Sequence, residues 1–142
     1  MGFQKVLVPV SGKHRLTRAA RSLEQALQIV REDGEICFLH CIDKVSHLFT
    51  GEVYRKLIAE ATGTAEKLLN PLAERTKNAG IAWSVHIVEG SPVTHIPKFA
   101  SDNKCTIVVM CTDAHNDPDK PAIGRIAEGV FQSLSIPLLV VH

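Results

Sequence analysis

The chain has 142 residues, 45% of them hydrophobic, which suffices for one domain with a proper core. Lys plus Arg number 16 against 15 Asp plus Glu, and a formal net charge of +1 gives no electrostatic basis for binding nucleic acid or an anionic membrane. The first residues do not read as a signal peptide and no apolar run approaches the ~20 residues of a membrane span, so a soluble, cytoplasmic protein is expected.

Lys5 to Val10 is a nearly continuous apolar run, the pattern of a strand buried on both faces. Pro9 falls near its end, where a lost ladder bond is tolerable, and Ser11-Gly12 breaks it. A helix is expected from about His14 to Arg31, with Leu16, Ala20, Leu23, Leu27 and Val30 on one stripe and Gly34 as its stop signal. Glu35 to Ile42 is the second strand. A long helical pattern follows a loop, with Val53, Leu57, Ala61, Ala65, Leu68 and Leu72 on one face. Thr50 is its candidate N-cap and Gly80 its candidate C′ residue, and Pro71 is expected to kink or divide it.

Ile81 to Val88 is the third strand. Ser91 and Pro92 have the N-cap and first-turn pattern of a helix that runs to about Asn103 despite Pro97. Thr106 to Cys111 is the fourth strand. Gly124 to about Leu134 is the last helix, with Ile126, Val130, Phe131 and Leu134 expected inward, and Pro137 to Val141 is the fifth strand. This alternation, without repeat or linker, predicts a single α/β domain over residues 1–142: a doubly wound, five-stranded parallel sheet with helices on both faces. In such sheets ligands bind outside the carboxyl ends of the strands, where strand order reverses. Those ends are Val10-Ser11, Cys41-Ile42, Val88-Glu89 and Met110-Cys111.

The chemistry-bearing residues form no catalytic motif. Cys37 and Cys41 lie about 13 Å apart along one strand, too far for a disulfide, and all four cysteines are expected as reduced thiols. Ser11-Gly12-Lys13 lacks the upstream glycine and following hydroxyl of a phosphate-binding P-loop. His14, His95 and His115 fall near loop ends without ligand spacing. Asp113, Asp117 and Asp119 lack the closing Glu of an EF-hand, so no metal site is expected. A receiver-like phosphoacceptor needs an acidic cluster at strand ends, which Ser11 and Glu89 do not supply.

These segments together resemble the universal stress protein family. The resemblance rests on Val6 to Val10, Leu39 to Asp43, Val88 to Pro92, Ile107 to Met110, the Gly124-x-x-Ala127-Glu128 start of the last helix, and Ile136 to Val141. It implies a Rossmann-like sheet of the adenine-nucleotide α-hydrolase type, usually a homodimer, with a stress-linked role. Many members bind ATP through Gly-x2-Gly-x9-Gly-Ser/Thr after the fourth strand. The spacing is kept here, but the four positions are Cys111, Ala114, Gly124 and Arg125, and the family's Asp after the first strand is Ser11.

Glycines serve where backbone amides approach phosphate closely or φ is positive, and a Cys or Ala side chain adds bulk there. The loop aspartates oppose a polyphosphate, whereas Arg125 either holds an anion or fills the site. The expectation is a dimeric stress-response regulatory or interaction protein with a degenerate nucleotide site that does not bind ATP tightly and no resident cofactor. The alternative is an ATP or adenine-nucleotide module with at most slow hydrolysis. Any nucleotide or other small ligand would meet Val10, Ser11, Cys41, Met110, Cys111, Ala114, Gly124 and Arg125. The apolar Leu138, Leu139, Val140 and Val141 carry no charge that blocks edge pairing, so a homodimer through this strand is expected.

Overall fold

The computed structural model describes residues 2–10, 15–42, 44, 50–112 and 124–142. Its elements are β1 (Phe3–Val10), α1 (Arg15–Ile29), β2 (Val30–Ile42), α2 (Gly51–Asn78), β3 (Ala82–Glu89), α3 (Pro92–Asp102), β4 (Ile107–Cys111), α4 (Arg125–Ser133) and β5 (Leu138–Val141). The strands form one parallel sheet in the order β3-β2-β1-β4-β5. The fold is therefore the doubly wound, Rossmann-like α/β architecture, with its strand order reversing at the β1–β4 boundary.

Strand alternation sends the two halves of the core to opposite faces. Val6, Val8, Val10, Ile36, Phe38 and Val109 pack under Ala19, Leu23 and Ala26 of α1 and Leu69 and Leu72 of α2. Leu7, Cys37, Leu39, Val108 and Met110 pack under Ile96 and Ala100 of α3 and Ala127 and Val130 of α4. Thr106 fastens the start of β4 to β1: its N–H donates to the Lys5 carbonyl at 2.8 Å, and its hydroxyl accepts from the Lys5 N–H at 3.1 Å.

Several helical stripes differ from the expected ones. In α1 the buried positions are Ala19, Ser22, Leu23 and Ala26, while Ala20 is exposed. In α2 the buried residues begin at Ala65 and continue through Leu69, Leu72, Ala73 and Thr76, so only its second half covers the sheet and Val53 stays exposed. In α4 the inward residues are Ala127 and Val130; Phe131, expected inward, is 65% exposed. Pro71 does not divide α2. Its missing N–H frees the carbonyl of Lys67, and both residues lie on the exposed side of the helix, where an unpaired carbonyl is least costly. α3 likewise runs through Pro97. Thr50 and Ser91 hold the extended N-cap backbone without a side-chain capping bond, and Gly80 has the positive φ of a C′ residue, +76°.

Gly34 is not a helix stop; it lies inside β2. Phe3 pairs with Val30 and Lys5 with Glu35, so five residues of β2 pass where β1 advances two. This bulge brings Gly34 under the β1 backbone, and a methyl group there would sit 2.7 Å from the Gln4 carbonyl oxygen and 3.1 Å from that of Phe3. Regular pairing resumes at Glu35, the position where the sequence pattern starts the strand. Because backbone rather than a flexible side chain opposes the new atom, Gly34→Ala is expected to cost about 1–3 kcal/mol. Thermal unfolding followed by circular dichroism should show a melting temperature several degrees lower, and an unchanged one would contradict the close approach.

Candidate functional site

α1 returns from β1 over one face of the sheet and α4 leaves β4 over the other, so the two helices part above the carboxyl ends of neighbouring strands. A crevice of about 370 Å³ opens there. Its floor is Pro9 of β1 with Met110, Cys111 and Thr112 at the end of β4. One wall is Arg18, Ala19 and Ser22 of α1, and the other is Gly124 with Arg125, Ile126 and Ala127, the first turn of α4.

The start of α4 is set by Gly124. It is the N-cap at φ +91°, a conformation that side chains strain to adopt, and a methyl group on it would lie 3.3 Å from Thr112 Cγ2. Without a side chain it cannot cap the helix, so the unpaired N–H groups of the first turn remain for another partner. The Thr112 N–H donates to the Val141 carbonyl at 2.9 Å, which extends the β4–β5 ladder and orients the Thr112 side chain.

Of the residues singled out in the sequence, Met110, Cys111, Gly124 and Arg125 come together around this crevice. Val10 and Cys41 are not part of its lining. The Val10 side chain is in the α1-side core, and its carbonyl accepts a hydrogen bond from Nδ1 of buried His40. A carbonyl only accepts, so His40 carries its proton on Nδ1 and is a satisfied core histidine. Cys41 packs against the α3-side core, and burial pushes its thiol up to about 11, leaving it neutral at physiological pH. Ser11 and Ala114 lie outside the described residues, as do His14, His115 and the loop aspartates. All four cysteines are free, and no group of potential metal ligands occurs among the described residues.

Sequence reasoning missed Arg18, Ser22 and Thr112. Ser22 is 1% exposed and Thr112 7% exposed, and the Oγ of Ser22 and Oγ1 of Thr112 have no hydrogen-bond partner among the described residues. The signal for Ser22 was a polar residue inside the apolar stripe of α1, between Ala19 and Leu23. Among the described residues the crevice lining carries two arginines, Arg18 and Arg125, and no carboxylate.

A family model described as the universal stress protein family matches residues 2–142. A universal stress protein of Methanocaldococcus jannaschii is 28% identical over 147 residues, covering 98% of this chain and 82% of that protein. Two solved structures share the fold at a TM-score of 0.67 and 19% identity. One is a universal stress protein of Archaeoglobus fulgidus in complex with dAMP, covering 100% of both chains. The other is a family protein of Arabidopsis thaliana with AMP bound, covering 97% of this chain and 90% of that one. The chain belongs to the universal stress protein family.

Proposed function

We propose that this protein is a cytoplasmic, single-domain, dimeric regulatory or interaction member of its family, whose crevice holds ATP poorly and which acts by binding rather than turnover. The observation that carries this reading is the crevice lining: Cys111 and Arg125 stand where the family's ATP pattern has glycine and a small hydroxyl residue. Gly124 is the one retained motif glycine, and its positive φ and the tight space an added methyl group would meet at Thr112 account for it without any ligand. The volume of about 370 Å³ is near the small end of ligand pockets, which run from about 300 to 1,000 Å³. A second reading, a nucleotide-binding module, is favoured by the crevice's place at the switch point and by the dAMP and AMP held by the Archaeoglobus and Arabidopsis proteins.

A ligand at 100 times its dissociation constant stabilises by ~2.7 kcal/mol, several degrees of melting temperature for a chain of this size. Differential scanning fluorimetry of the purified protein with millimolar Mg-ATP is expected to show no such shift. A shift of several degrees would replace the first reading with the second.

The dimer is supported by β5, which ends the sheet. Val108 donates to the Pro137 carbonyl and Thr112 to the Val141 carbonyl, so odd-numbered residues of β5 face β4. The N–H and C=O groups of Leu138 and Val140 consequently point to the free edge. An isologous pairing of two such edges would satisfy them. Val140→Pro removes an outward donor and spares the ladder to β4. Light scattering is expected to give a dimer for the unmodified protein and a monomer for V140P; a monomeric wild type would sink the assignment.

A further inference from the structure

We propose that the outer edge of β3, with the groove beside it under α2, docks an extended peptide segment of a partner protein, one that alternates apolar residues and carries a lysine or arginine among them. The site lies at the opposite end of the sheet from β5 and is independent of the crevice between α1 and α4. The groove has a volume of about 450 Å³. Trp83, Val85 and Ile87 of β3 form one wall, Leu69 and Ala73 of α2 another, and Glu66 of α2 stands in the lining.

The strand geometry joins this groove to a row of open backbone groups. The Gly90 N–H donates to the Ile42 carbonyl at 2.9 Å, and β3 pairs with β2 without a register shift from Ala82 to Glu89. Even-numbered residues of β3 therefore face β2, and the N–H and C=O groups of Trp83, Val85 and Ile87 point away from the sheet. No described strand pairs with them on that side. The three residues that wall the groove are thus the three that offer main-chain partners at the edge.

An edge strand is usually blunted by lysine, proline or a bulge. β3 has none of these, and its one acidic or basic residue is Glu89 at its end, which accepts a hydrogen bond from the Tyr54 hydroxyl at 2.6 Å. Trp83 is 42% exposed, a large apolar ring without cover beside a cavity. From Trp83 to Ile87 the wall runs about 13 Å at ~3.3 Å per residue, the length of strand that sends three alternate side chains to one face. Added strands bind in this way, with main-chain hydrogen bonds for affinity and pockets for alternate side chains for specificity. Glu66 is the one charged residue of the lining and makes no ion pair among the described residues. A cationic side chain on the partner complements it. A small ligand would fill the groove and leave the backbone row open, whereas an extended peptide uses both.

The test is phage display of random linear peptides of about nine residues on the unmodified protein, followed by titration of the selected peptides. Trp83 is the only tryptophan in the chain, so its fluorescence reports cover of the groove directly. Selected sequences are expected to place apolar residues at every second position with a lysine or arginine in that set, and to shift Trp83 emission to shorter wavelength. Val85→Pro removes an outward donor and spares the ladder to β2, so it should weaken binding at least about tenfold while the circular dichroism spectrum is kept. Glu66→Lys changes an exposed helix position and keeps the test open should V85P misfold. It is expected to weaken the basic peptides about threefold or more and to select acidic residues in their place. No selection above background, selected peptides without the alternation, or equal binding by folded V85P and by E66K would overturn the inference. Assembly beyond a dimer in light scattering, abolished by V85P, would make a second copy of this chain the occupant and overturn it as well.

Discussion

Neighbouring parallel strands whose helices leave on opposite faces cannot both be covered at their carboxyl ends. That constraint governs this molecule. The order β3-β2-β1-β4-β5 sets β1 beside β4, with α1 on one face and α4 on the other. The gap between the helices is a consequence of right-handed crossovers, independent of any ligand. What fills the gap is decided by a handful of side chains, Cys111 and Arg125 among them.

Gly124 illustrates how frame and function separate. Its φ of +91°, with only 3.3 Å between an added methyl group and Thr112 Cγ2, makes glycine the residue this helix start favours. A glycine that the backbone requires says nothing about phosphate. The informative positions are those where packing alone would choose differently. Ser22 and Thr112 hold buried hydroxyls with no partner among the described residues, at positions where apolar residues would be more stable. Arg125 at the helix start opposes the local helix dipole unless an anion lies between.

The fold was legible because its signals are strong and local. Continuous apolar runs at Val6 to Val10 and Ile107 to Met110 read as doubly covered strands, and Gly80, Ser91 and Pro92 marked helix ends that the structure keeps. Failures came where tertiary packing overrides local pattern. Gly34 looked like a helix stop, yet its role is a close approach to Gln4 across a bulge, which only the pairing of β1 with β2 creates. Phe131 fits an apolar stripe, but α4 is short and Ala127 and Val130 already fill its contact with the sheet. The β4–α4 half of the site was readable from motif spacing. The α1 half was not, because Arg18 and Ser22 meet Thr112 only after about 90 residues of chain return to the same boundary.

The proposed function stands on side-chain bulk and charge at the crevice, at Cys111 and Arg125. Its most direct test is the ATP affinity of the double variant Cys111→Gly, Arg125→Ser beside the unmodified protein, measured by titration calorimetry in the presence of magnesium. The account predicts weak or undetectable binding by the unmodified chain and a gain of at least about tenfold, 1.4 kcal/mol, in the variant. Micromolar binding by the unmodified chain, or a stable variant that gains nothing, would contradict it.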